Sequence, residues 1–188
     1  MIRLFVLLTV LLCAPSLYAQ EDSTPSTFHR LLIFNDSNEM LVVKIKDRDL
    51  WVTPGWYQDQ DSTISEGLTN LAHSYALKIN NPQLRGVFIL RMGSEQKIST
   101  RLIHSAEALN ENYKLPDGID QVKWLPVDQA LEVINLPHIQ YQIKQITEYR
   151  ETVWGGTQQM HWEGGVNKFE VVEGFYPLFS TSNGGDSK

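Results

Sequence analysis

Along most of the chain apolar residues come in short dense runs split by turn residues, and only a few stretches show helical spacing. Residues 31–34 (LLIF) and 40–45 (MLVVKI) flank Asn35-Asp36-Ser37-Asn38-Glu39, whose side chains hydrogen-bond their own backbone, so the pair predicts a hairpin. A loop at Asp47-Arg48-Asp49 precedes a further strand over residues 50–53. The period then changes: Leu68, Leu71, Ala72, Tyr75 and Ile79 recur at three and four, predicting a helix over residues 62–78. Ser62 or Thr63, with Ser65 and Glu66, supplies its N-cap, and Asn80-Asn81-Pro82 is expected to stop it. Residues 84–92 predict a central strand, 98–104 another, 107–118 a polar loop and 119–125 a strand. Residues 126–134 predict a short helix, and Leu136-Pro137 opens a last one running to about residue 153. Gly155-Gly156 and Gly164-Gly165 then punctuate residues 158–162 and 166–172, the pattern of a hairpin. Interleaved strands and helices of this order predict an α/β chain with a mixed sheet and helices on its faces.

The first residues need a different explanation. Arg3, the apolar run of residues 4–13 and the Ser16-Leu17-Tyr18-Ala19 end have the layout of a cleavable export signal. The run is shorter than the roughly 20 apolar residues of a membrane-spanning helix. Residues 1–19 are therefore expected to be removed, placing the protein in the periplasm or outside the cell. The one cysteine, Cys13, goes with them, leaving no disulfide, thiolate nucleophile or cysteine-based metal site. Removing that segment takes the formal net charge from −6 to −7. An acidic chain without a basic run argues against nucleic acid and anionic membrane as partners.

Strand, Pro54-Gly55, acidic loop, helix, the GVFILR strand and the QVKWLPVDQAL segment together resemble a Nudix domain. The resemblance implies an α/β/α sandwich with a mixed sheet over residues 30–153. Residues 20–29 are expected to be a flexible leader, 154–180 an aromatic β-hairpin extension, and 181–188 a disordered tail. The family's box reads G-x5-E-x7-R-E-U-x-E-E-x-G-U, with U aliphatic. Laid on without a gap, Trp56 stands at its first glycine, Ser62 at the loop glutamate, Asn70 at the arginine, and Leu71, Ser74 and Tyr75 at the helix glutamates. Shifted by one, Asp61 meets the loop glutamate and Leu71 the aliphatic position, while Thr69, Asn70, His73 and Ser74 take the charged ones. Neither register puts a carboxylate at the helix positions where the family holds Mg²⁺ through oxygen ligands.

The resemblance leaves three function classes open. An enzyme using a nonstandard acid set would draw on Asp59, Asp61, Glu66, His73 and Glu107, with Mg²⁺ as its cofactor; Glu111 lies in the same polar loop as Glu107. The ordinary structural reading of these residues is a solvated loop, a helix-start acid and a surface histidine. A binding module with no cofactor and no metal would use Trp56, Tyr57, Asn70 and Ser74 for a nucleotide or sugar-nucleotide. Trp56 either stacks on such a ligand or plugs the vacated pocket. An interaction protein would dock the aromatic tail (Trp154, Trp162, Phe175, Tyr176 and Phe179) on an envelope partner. The absent carboxylates favour the last two classes.

Overall fold

The computed structural model describes residues 25–93, 97–164 and 166–180. The expected export signal, the first half of the leader and the expected disordered tail lie outside them. The described chain runs β1 (Ser26–Phe34), β2 (Met40–Ile45), β3 (Trp51–Val52), β4 (Gly55–Tyr57), α1 (Ile64–Ser74), β5 (Ile79–Met92), β6 (Lys97–Ala108), β7 (Ile119–Leu125), α2 (Val127–Val133), α3 (Pro137–Glu148), β8 (Thr152–Glu163) and β9 (Val166–Ser180). One mixed sheet has the order β3-β2-β1-β6-β5-β8-β9, with β4 paired to β1 and β7 to β2.

The runs of β1 and β2 are apolar at consecutive positions because both sheet faces are covered. Leu31, Ile33, Leu41 and Val43 pack with Leu68, Ala72 and Tyr75 on the α1 side. Their neighbours Leu32, Met40 and Val42 pack with Ile139, Ile143 and Ile146 on the α2 and α3 side. This is the expected sandwich of helices around a mixed sheet.

Long-range pairing moves several boundaries. Strand β1 starts at Ser26, inside the stretch expected as leader, because it pairs in parallel with β6 from Ser26↔Ser99 to Phe34↔Glu107. Its hairpin with β2 registers at Phe34↔Met40 and is closed across the turn by Asn35 N donating to Glu39 O at 3.0 Å. Asn80-Asn81-Pro82 does not end a helix; it lies in β5, where an irregularity between Asn80 and Gln83 accommodates the proline. Helix α3 ends at Glu148, since β8 already starts at Thr152. The expected C-terminal extension is part of the main sheet, with β8 parallel to β5 and β9 antiparallel to β8. Its aromatics divide. Phe175 stacks on Tyr141 of α3 at 4.2 Å and Trp154 packs in the same core, whereas Tyr176 and Phe179 are exposed.

Candidate functional site

Helix α1 is fixed at both ends by hydrogen bonds. At the N-terminus, Glu66 N donates to Thr63 Oγ1 (3.2 Å) and Thr63 N donates to Glu66 Oε2 (2.9 Å), a reciprocal capping box. The Thr63 backbone and hydroxyl hold the Glu66 carboxyl below the usual carboxylate range, so this acid is committed to the helix start. At the C-terminus, Leu77 N donates to Ala72 O and Ala76 N to His73 O, a Schellman closure in which Ala76 adopts φ +60°. That closure ends the helix four residues before the expected boundary.

The two ends choose between the registers of the box. A left-handed residue just past the helix is a place for glycine, and Ala76 occupies it, followed by buried Leu77. Gly55 is equally constrained, because an added Cβ would lie 2.5 Å from the Phe28 ring and 2.6 Å from His29 O. Both observations fit the register shifted by one: Gly55 at the first glycine, Asp61 at the loop glutamate, Leu71 at the aliphatic position, Ala76 and Leu77 at the closing pair. The ungapped register, with Trp56 at the glycine and Leu71 and Tyr75 as glutamate substitutes, is corrected. Leu71 packs on the core, and burial pushes the Tyr75 phenol up to about 12. The helix glutamate positions become Asn70, His73 and Ser74.

The acids weighed as catalytic groups stand apart. Asp59 Oδ1 accepts from the backbone N–H groups of Asp61 (3.1 Å) and Ser62 (3.0 Å), so it shapes its own loop. Asp61 and His73 are exposed. Glu107 is not in a loop; it lies near the end of β6 opposite Asn80, beside a different cavity. Among the described residues no three His, Cys, Asp or Glu side chains converge as a metal site.

The weighed ligand contacts divide as well. Asn70 is exposed, and Ser74 Oγ donates back to Leu71 O at 2.7 Å. Trp56 is turned inward. Its ring stacks on His29 at 4.4 Å and lies so close to α1 that an added Cβ on Gly67 would sit 2.4 Å from it. Trp56 fills the space under the helix, which decides for the plug. Tyr57, its neighbour, points to the opposite face and is 56% exposed.

Behind Trp56, His29 Nδ1 and His104 Nε2 lie at hydrogen-bond distance, 3.2 Å, in a buried pair. Burial pushes His29 below its ordinary value, partly offset by the Gln58 side chain, and burial with the neighbouring His29 takes His104 down to about 4. Both rings are neutral at physiological pH. The fit of Trp56 to Gly67 makes a direct expectation. Gly67→Ala should destabilise by about 1–3 kcal/mol from overpacking, and Trp56→Ala in the same chain should remove most of that penalty. Urea melts of the two single variants and the double variant measure the coupling; simple additivity would detach Trp56 from the helix.

One cavity of about 370 Å³ opens elsewhere, where β1, β5 and β6 meet the end of α3. Its lining includes Asn38, Asn81, Arg85, Ser105, Glu107 and Arg150. Arg85 Nε donates to Ser105 Oγ (2.8 Å), and its other nitrogens bond Gln83 Oε1 and Arg150 O. Arg150 Nη1 donates to Asn38 Oδ1 at 2.8 Å, so the wall is a connected polar network. Sequence reasoning missed it because the residues sit on two strands and two connections with no shared motif.

No protein-family model matches the chain, and no curated protein does so by sequence. Solved structures do match. The chain is similar to a MutT protein from Bacillus halodurans at 16% identity, over 81% of this chain and 97% of that one, with a TM-score of 0.63. It is similar to a Nudix hydrolase from Nitrosomonas europaea at 15% identity, over 73% and 80%, with a TM-score of 0.56. A MutT protein from Methanosarcina mazei matches at 14% identity, over 68% and 96%, with a TM-score of 0.55. The polypeptide therefore has the Nudix fold.

Proposed function

We propose that this chain is an exported Nudix-fold binding protein that takes a nucleotide or sugar-nucleotide without hydrolysing it. The observation that carries the reading is the outer row of α1: Asn70, His73 and Ser74 occupy the metal-binding positions of the box, and none is an acid. Without anionic oxygen ligands there, nothing polarises a diphosphate or activates water at that helix. Trp56 under the helix and Leu71 in the core add to the case. A ligand of this class fits the polar cavity beside Arg85, whose size lies in the usual range of about 300–1,000 Å³ for small-molecule sites. The chain's likeness in fold to MutT proteins and Nudix hydrolases supports the ligand class, and the export layout of residues 1–19 supports a periplasmic or secreted location.

Calorimetric titration tests the reading. ADP-ribose should bind with the same affinity with and without Mg²⁺, and Mg²⁺ alone should give no binding heat. Arg85→Ala should weaken that binding about tenfold or more, the scale of losing a charge-assisted hydrogen bond. No Mg²⁺-dependent turnover is expected from the wild type, and Asn70→Glu with Ser74→Glu should gain measurable Mg²⁺ affinity. Robust wild-type turnover that disappears in Asp59→Ala or Asp61→Ala would overturn the reading in favour of a hydrolase. Intact mass of the exported protein checks the cut after Ala19.

A further inference from the structure

The face of the sheet turned away from α1 carries an unusual group. Alternation along β1 sends His29 to the α1 side and Arg30 to the α3 side, where Arg101 of β6 joins it. Both guanidinium side chains are buried, Arg30 at 7% and Arg101 at 9% exposure. Buried arginines are ordinarily met by carboxylates. Here neither makes an ion pair with a described carboxylate. The chain holds 22 acids against 16 basic residues, so a shortage of acids is not the reason.

The two cations have only weak compensation. Arg30 Nη1 donates to Thr53 O (3.1 Å) and Oγ1 (2.8 Å). Arg101 reaches Met92 Sδ at 3.7 Å and its Nε has no partner; the Tyr57 side chain offsets part of the cost of burying it. Both lie over the Phe28 ring, at 5.3 and 4.7 Å, and Arg101 also lies 5.8 Å from the exposed Tyr57 ring. Across from them stands His138, at the second position of α3, a helix with no side-chain cap. Helix α3 packs on this face through Ile139 and Ile143, which meet Leu32 and Ile103, the β1 and β6 neighbours of the two arginines on that side. Burial, with Arg30 and Arg101 as lesser causes, pushes the His138 imidazole down to about 3. His138 is 7% exposed and its Nδ1 has no partner. One turn along, Gln142 Nε2 donates to Gln158 Oε1 at 2.6 Å, leaving the fully buried Gln158 Nε2 without an acceptor.

Two buried guanidinium groups therefore share this face with no carboxylate to meet them, and Arg101 Nε, His138 Nδ1 and Gln158 Nε2 are left without partners. We propose that Arg30, Arg101 and His138, with Gln158 beside them, form a binding site for an oxyanion group, phosphate or carboxylate, on the α3 side of the sheet. A guanidinium fork matches either oxyanion in bidentate fashion, and the first turn of α3 adds the positive end of its dipole. An anion there would neutralise two charges that no carboxylate meets. The site is separate from the box helix and from the Arg85 cavity, so it stands or falls independently of the binding function proposed above.

Thermal unfolding of the full chain tests it, comparing sodium phosphate and sodium acetate with sodium chloride at equal ionic strength. At saturation one of the oxyanions should raise Tm by about 5 °C or more over chloride, and the stronger of the two names the group. Arg101→Met should abolish that rise while leaving Tm in chloride equal to or above the wild type, because it removes an unneutralised buried charge. The ring nitrogen resonances of His138 in the wild type should shift during the same titration, a readout that needs no variant to fold. Equal Tm in all three salts with an unmoved His138 ring would overturn the proposal. So would an oxyanion response that persists in Arg101→Met.

Discussion

Acidifying the protein from pH 7 towards 4 should remove several kcal/mol of stability. Three buried histidines produce this loss: His29, His104 and His138. The ordinary imidazole value is 6.5, while burial takes His104 to about 4 and burial with two neighbouring arginines takes His138 to about 3; His29 is lowered as well. The sign follows from proton counting. Above pH 6.5 neither state binds the protons, and the full stability is present. Between 6.5 and the folded values the unfolded chain takes up protons that the folded one refuses, so stability falls as pH falls. At 1.36 kcal/mol per pKa unit, the His104 shift corresponds to about 3 kcal/mol and that of His138 to somewhat more, both upper limits because local opening relieves them. Native stabilities are only about 5–15 kcal/mol, so unfolding near pH 4 is expected. Urea midpoints measured every half unit from pH 7.5 to 4 check this. A flat profile down to 4.5 would mean that the rings are not buried neutral. In His138→Gln the lower part of the slope should flatten.

Leu68→Ala should cost about 2–5 kcal/mol, the largest penalty expected on α1. Leu68 is 5% exposed and packs in the cluster of Leu31, Ile33, Leu41 and Ala72, so it holds α1 onto the sheet. Truncation removes apolar contact and leaves a cavity that β1 and β2, fixed by their own pairing, cannot collapse to fill. The urea midpoint should fall with the slope unchanged, since the same surface is exposed on unfolding. A loss of less than about 1 kcal/mol would place Leu68 outside the core. The adjacent Gly67 is constrained in the opposite sense, by excess rather than missing volume, so the two substitutions probe the same interface from both sides.

What the sequence determined by itself was local in origin. Met40–Ile45 and Ile119–Leu125 are strands at the boundaries their apolar runs predict, and the start of α1 follows from the Thr63 and Glu66 cap. Those signals act between residues a few positions apart, so the chain displays them before it folds. The end of α1 was hidden because Ala76 takes a left-handed turn that glycine would have advertised. With it went the register of the box, which rests on Ala76, Leu77 and the crowding at Gly55. The reach of β1 back to Ser26 depended on β6, and the place of β8 in the sheet depended on β5. Trp56 was visible as a plug or a stacking surface, and only its contact with Gly67 decided which. Arg30, Arg101 and His138 carried no spacing signal at all, because three elements distant in sequence bring them to one face. Caps and periodicity are properties of a segment, whereas strand partners, helix packing and buried charge exist only once distant segments meet.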